Sequence, residues 1–330
     1  MSGPQVIGRV GALAVALGIG VGLAATPWTA SAKPSVSTPH GPNVAVSIDG
    51  HSIDLGSATA TSSGTDSRAF ALGANASATA GPGDTATAIG TNASANATGG
   101  TGNRAYAFGT NSIANAGTGS TNSNNNTAIA RNGGLASAGF NSTNSNNNTA
   151  TATGTNAAAG AGILGTGNNN NTATATNTGT GTASTVADAG VGLTGNSGNT
   201  ATATNTGTGK TVAAAGVNGP GNTNNTATAT NTGTTLLTIA DSGIGNSNET
   251  GNTATAINTG SGGSDIALAG GGNNSTNNTA TATNRGTGGN ARAVAGEGSN
   301  NTATATNTGS VGTANAVAAG SNQQVTVTNP

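Results

Sequence analysis

Residues 171–177 read Asn-Thr-Ala-Thr-Ala-Thr-Asn, and the same frame returns at 199–205, 225–231, 252–258, 278–284 and 301–307, with Ile257 as its one substitution. Strict alternation over seven residues has the period of two of a β-strand. Asn171, Ala173, Ala175 and Asn177 therefore share one face, and Thr172, Thr174 and Thr176 share the other. Thr is β-branched and favours extended backbone. The alanine face is predicted to turn inward. That gives an inward amide set of Asn171, Asn177, Asn199, Asn205, Asn225, Asn231, Asn252, Asn258, Asn278, Asn284, Asn301 and Asn307, stacked so that donors and acceptors satisfy one another from rung to rung. The matching outward array is Thr172, Thr174, Thr176, Thr200, Thr202, Thr204, Thr226, Thr228, Thr230, Thr302, Thr304 and Thr306.

The shorter unit Asn-Thr-Ala-[Thr/Ile]-Ala begins at Asn126, Asn148, Asn171, Asn199, Asn225, Asn252, Asn278 and Asn301, so its spacings are 22, 23, 28, 26, 27, 26 and 23 residues. From Asn171 onward a second apolar element ending in Gly lies between copies, as in Val186 to Gly190, Val212 to Gly216, Ile239 to Gly243 and Ile266 to Gly270. Runs of Gly, Asn and Thr between the strands tolerate positive φ and close turns. Two short strands and two turns make one coil. In the second strand Asp188, Asp241 and Arg292 share parity with Val186, Ile239 and Val294. An unpaired charge is costly to bury, so that mixed row is expected outside, with Ala187, Ala240 and Ala293 inside.

Composition agrees with a stacked coil. Of 330 residues 57 are Gly, 5% are charged and 2% are aromatic, against roughly 25% charged residues in an ordinary soluble domain. Large side chains are too few to fill a compact core, so Ala and Thr must do the packing, which suffices where one thin contact recurs along an axis. The fold class expected is all-β, a β-solenoid (β-roll or β-helix) of two-strand coils, preceded by an N-terminal signal helix. A net charge of −1 provides no basic footprint for nucleic acid or anionic lipid. Zero Cys excludes a disulfide framework and thiolate metal sites.

The N-terminus has the layout of an export signal. Arg9 lies in a short first segment, Gly11 to Ala25 is apolar, and Ala30-Ser31-Ala32 is a small-x-small cleavage site. The apolar run is shorter than the roughly 20 residues a spanning helix needs, and no second one follows. The organisation expected is a signal peptide over 1–32, a lead-in segment with a cap hairpin over 33–56, short β repeats over 57–140 and longer two-strand coils over 141–330. A secreted or cell-surface location follows from the signal, with no membrane span after cleavage.

Two families share these motifs. Gly, then Asn, Ala at +2 and an amide at +6, on two strands per repeat, resembles the curlin repeats of bacterial functional amyloids over about 126–330; Gly296 with Asn301, Ala303 and Asn307 is the nearest copy, the +6 amide being Asn where curlin repeats use Gln. Ala69-Phe-Ala-Leu-Gly73, Thr85-Ala-Thr-Ala-Ile-Gly90 and Ala105-Tyr-Ala-Phe-Gly109, over about 57–140, resemble the head repeats of trimeric autotransporter adhesins. These resemblances imply self-assembly in the first case and a β-roll that binds host or matrix surfaces in the second.

Catalytic chemistry finds little support. His51 lies near Asp49, Ser52 and Asp54, but the cluster sits in a turn between Val44 to Ile48 and Ile53 to Leu55 and no second cluster completes a nucleophile and base. The Gly-x-Gly runs precede no helix in a βαβ pattern, so they are turn glycines. Nine acidic residues in the whole chain are too few for a stacked calcium roll. The expectation is a non-enzymatic, cofactor-free secreted structural protein that acts by adhesion or self-assembly, with itself or an extracellular surface or matrix as partner. One alternative is ice binding, because a flat grid of Thr about 7 Å apart along a strand and about 4.8 Å apart between coils resembles the Thr-x-Thr faces of ice-binding β-solenoids. Another is a disordered Gly-rich extracellular polymer, since low hydrophobicity makes folding marginal.

Overall fold

Side chains this small bury little surface individually, so stability requires many strands in identical register. The computed structural model describes residues 42–155, 157–177, 185–192, 194–206, 210–232, 237–245, 247–259, 264–285, 289–308 and 312–329. The expected signal peptide (1–32) and the first part of the expected lead-in segment (33–41) lie outside the described residues. Every regular element among the described residues is a β-strand.

The chain alternates between two sheets of 14 and 12 strands. Strands such as Thr172–Asn177, Thr200–Asn205 and Thr226–Asn231 stack in parallel in the first sheet. Thr185–Gly190, Thr211–Gly216 and Leu237–Gly243 do so in the second. Neighbours within a sheet are thus one coil apart, which makes the fold a β-solenoid. Like pairs with like: Ala173 with Ala201, Thr174 with Thr202 and Asn177 with Asn205. One strand runs the other way. Strand β1 (Val44–Ile48) is antiparallel both to β2 (His51–Leu55) and to Arg68–Leu72. Its Ser47 hydroxyl is 2.8 Å from the Ser62 hydroxyl in a buried contact, which ties this hairpin to the second sheet as well.

The core is alanine. Ala173, Ala175, Ala187 and Ala189 are completely buried, as are their counterparts Ala201, Ala203, Ala213 and Ala215 one coil further on. Methyl groups facing methyl groups let the two sheets approach closely. Each buried carbon is worth about 0.8 kcal/mol, and the contact is repeated in every coil.

Amides close one corner of this sandwich. Asn199 accepts from the backbone N–H of Asn225 at 3.0 Å and donates from Nδ2 to the Asn222 carbonyl at 2.9 Å. The same pair of bonds links Asn126, Asn148, Asn171, Asn225, Asn252, Asn278 and Asn301 to the coil that follows each of them. Opposite stands a column of glycines. A Cβ on Gly190 or Gly216 would lie 2.5 or 2.6 Å from Nδ2 of Asn171 or Asn199, so the Gly that ends these two second strands leaves the space the amide occupies.

The residue before each rung has a different task. Asn170, Gly198, Asn224, Gly251, Asn277 and Asn300 all have φ between 55° and 67°, a left-handed conformation that Asn and Gly tolerate best. In an Asn-Asn pair the first bends the backbone and the second bonds across the coils.

Coil length rises along the axis to a maximum and then falls back, to a step of 22 residues between Ala303 and Val325. Ala69 pairs with Ala86 and Ala86 with Ala105, steps of 17 and 19 residues. Ala173 pairs with Ala201, a step of 28. Part of the added length forms a narrow third side, where Ser197, Thr223, Thr250, Thr276 and Ser299 bridge in parallel from coil to coil.

Candidate functional surface

Because Ala and Asn turn inward on the first sheet, every alternate residue is pushed outward in a fixed column. Thr172, Thr174 and Thr176 are half-buried and outward, and so are Thr200, Thr202, Thr204, Thr226, Thr228, Thr230, Thr302, Thr304 and Thr306. Pairing brings them into three columns, through Thr172–Thr200–Thr226, Thr174–Thr202–Thr228 and Thr176–Thr204–Thr230. The columns run on through Thr253, Thr255, Thr279, Thr281 and Thr283 to Thr302, Thr304 and Thr306, with Ile257 as one interruption. Strand Thr149–Thr153 begins this grid with Thr149, Thr151 and Thr153. With the spacings of a β-sheet, one hydroxyl and one methyl recur about every 7 Å along the strand and about every 4.8 Å along the axis.

All twelve asparagines named in the sequence are fully buried. They divide between the two corners. Asn171, Asn199, Asn225, Asn252, Asn278 and Asn301 form the ladder described above. Asn177, Asn205, Asn231, Asn258, Asn284 and Asn307 close the opposite corner, where Asn205 Nδ2 donates to Thr211 Oγ1 at 3.3 Å. Thr185, Thr211 and Thr238 form an inward column of the second sheet there.

Near the N-terminal end the same outward face changes character. Arg68, Arg104 and Arg131 are exposed, and Phe70, Tyr106 and Phe108 are half-buried beside them. The rings of Tyr106 and Phe108 are parallel within 3° with centroids 6.3 Å apart, and the Arg131 guanidinium carbon is 5.6 Å from the Phe108 centroid.

Three carboxyl groups that the alternation of the strands did not assign, Asp265, Glu249 and Asp84, are buried. Asp265 continues the inward Thr185–Thr211–Thr238 column. Burial pushes its carboxyl up to about 7, with the Asn258 side chain pulling the other way. The signal was available, since Asp265 stands two residues before Ala267 and so shares its parity. Glu249 follows Asn168, Asn196 and Asn222 in a second amide column, each backbone N–H donating to the side chain one coil earlier. Burial raises its carboxyl to about 7 as well, opposed by the Ile244 N–H at 3.1 Å. Asp84 occupies the rung before Asn103 in the main ladder. It accepts from the Asn103 N–H at 2.7 Å, yet burial still raises it to about 6. On the outer side of the second sheet, Asp188 and Asp241 are raised to about 6 by burial beside Val186, Val212 and Ile239.

Among the described residues no group of three His, Asp or Glu side chains could hold a metal ion. No family model, no characterised protein and no solved structure matches the chain. The curlin and adhesin-head resemblances therefore rest on repeat motifs alone.

Proposed function

We propose that this chain is an exported, non-catalytic surface or matrix protein that acts by presenting one long, ordered face for adhesion or self-assembly. The observation that carries this reading is the register of the first sheet, which lines up the same three outward positions from Thr149 to Thr306. A closed alanine interior leaves the faces as the places where a partner can make repeated contact. Support for export comes from the residues of the N-terminal segment, and support for adhesion from the repeat resemblances. The test combines size-exclusion chromatography over days, fibre diffraction, and binding to cells and to extracellular matrix. A chain that stays monomeric, shows no cross-β reflections and binds neither surface would end this reading.

Ice binding is the second reading, favoured by the three-column threonine grid itself. Measurement of thermal hysteresis and ice recrystallisation at high protein concentration separates it from the first. Absence of both effects removes it and leaves adhesion untouched.

A further inference from the structure

The outward face of strands Arg68–Leu72, Thr85–Ile89, Arg104–Phe108 and Thr127–Arg131 bears a cluster that the threonine grid lacks. Phe70 pairs with Thr87 and Thr87 with Tyr106, so the two rings stand in one column two strands apart, about 10 Å. Arg68 and Arg104 repeat that step in the next column through Thr85. Phe108 extends the platform along its strand, its ring parallel to that of Tyr106, and Arg131 reaches over it from the adjacent coil. A shallow depression of about 250 Å³, lined by Ile48, Arg68, Phe70, Thr85 and Thr87, adjoins the first ring. The outward positions of these four strands hold three of the eight Lys and Arg residues of the chain and no acidic residue.

We propose that this patch binds an acidic polysaccharide, with sugar rings lying against Phe70, Tyr106 and Phe108 and carboxylates paired with Arg68, Arg104 and Arg131. This assignment names a partner for the adhesive face and rests on that reading. Aromatic rings offer an apolar body to the C–H face of a sugar, and they lose little side-chain entropy on binding. The planar guanidinium fork matches a carboxylate bidentately. Charge spacing selects the polymer. A nucleic-acid strand carries a phosphate roughly every 3.4 Å in duplex form, so several would fall between Arg68 and Arg104, where the structure offers only Thr85. An anionic membrane is recruited by clusters of about four to eight cations, more than this face holds. A polymer with widely spaced carboxylates and apolar ring faces fits both the cations and the rings.

The experiment titrates the purified protein with hyaluronate, which carries a carboxylate on every second sugar, with the same polymer fully methyl-esterified, with an oligothymidylate and with phosphatidylserine vesicles, by calorimetry at low and moderate salt. Hyaluronate is expected to bind, to weaken as salt rises, and to lose about tenfold or more in affinity when its carboxylates are esterified. Replacing Arg68, Arg104 and Arg131 together by Gln should cost about tenfold or more. Tyr106→Thr, which installs the residue the adjacent coil carries at Thr87, should weaken binding severalfold with an unchanged circular dichroism spectrum. Asn315→Thr, at an exposed position on the outer side of the second sheet, should leave binding as it was. Equal affinity for the esterified polymer, undiminished binding by the triple variant, preference for the oligonucleotide or vesicles, or no binding at all would overturn the proposal. If the triple variant still binds cells or matrix like the parent, adhesion stands and only the polysaccharide assignment falls.

Discussion

The coils before and after Asn126 share one interior and differ at almost every other level. Ala69 and Ala86 meet Ala78 and Ala95 across the early core much as Ala201 and Ala227 meet Ala213 and Ala240 across the late one, all of them essentially buried. In the early coils the main rung position holds Ser67, Asp84 and Asn103, whereas every later rung through Asn301 is Asn. The early outward face carries Arg and aromatic residues, and the late one carries Thr. An alanine sandwich therefore specifies stacking without specifying what is displayed. Turn residues and rung residues set the coil's length and closure, and the outward columns are left free to vary.

The sharpest way to break this contrast is to remove a late rung. Asn199→Ala strands the Asn225 N–H and the Asn222 carbonyl inside the corner and leaves a void, so a loss of about 4 kcal/mol is expected. Ser67→Ala removes one bond to the Gly64 carbonyl and should cost about 1 kcal/mol. Denaturant unfolding followed by circular dichroism measures both; equal losses would abolish the distinction between the regions.

Next in size is the pair of late buried acids. Both Glu249 and Asp265 have folded-state values near 7, above their ordinary 4.5 and 3.8. The folded chain therefore holds protons that the unfolded chain releases, and stability falls as pH rises from about 4 to about 7 and levels off above. Replacing them with their column neighbours, Glu249→Asn with Asp265→Thr, should raise stability at pH 8 by roughly 2–4 kcal/mol and flatten the slope between about pH 6 and 7, while Asp84, Asp188 and Asp241, each raised to about 6, maintain a slope below that. Thermal melts from pH 4 to 8 read this directly, and a variant whose melting temperature tracks the parent at every pH would refute it.

Glycine sharpens the comparison further. Gly216→Ala drives a methyl group into the Asn199 amide and should cost about 2 kcal/mol. At the matching early position the chain already carries Thr98, paired in register next to Gly117, and Thr98→Ala should change stability by less than about 0.5 kcal/mol.

The smallest effect is a gain. Asp84→Asn extends the amide ladder one coil toward the N-terminus and removes a carboxyl raised to about 6. Since a raised carboxyl stabilises only below its ordinary range and that contribution is lost as pH climbs to 6, the variant should be more stable by about 1 kcal/mol at pH 7 and indistinguishable near pH 3. A drop in melting temperature at pH 7 would show that the carboxylate is the preferred rung.

The strand positions and their inward and outward faces were legible because period-two alternation is local: Thr-Ala-Thr-Ala needs no tertiary information to be assigned to faces. The candidate surface was legible for the same reason, as the outward complement of an alanine face. The division of labour within Asn-rich runs was not. In Gly167 to Asn171 the four asparagines are identical in sequence, yet Asn168 joins one buried column, Asn170 bends the backbone and Asn171 joins another. Glu249 was hidden differently, since it lies in a turn, where no alternation marks which side faces in. The Arg and aromatic patch needed the pairing of strands to be seen, because Phe70 and Tyr106 are 36 positions apart in the chain and become column neighbours only through Thr87.

The rung of Asn also changes how the solenoid keeps count. Steps between successive rungs range from 22 to 28 residues, yet Asn171, Asn199 and Asn225 remain aligned. The molecule measures its period by matching amides and lets the turn absorb the arithmetic. Loops can therefore drift in length, and whole coils can be gained or lost between rungs, without disturbing the columns on either face. Reach along the axis becomes a quantity that duplication or deletion can tune one row at a time, while the chemistry of each row stays fixed.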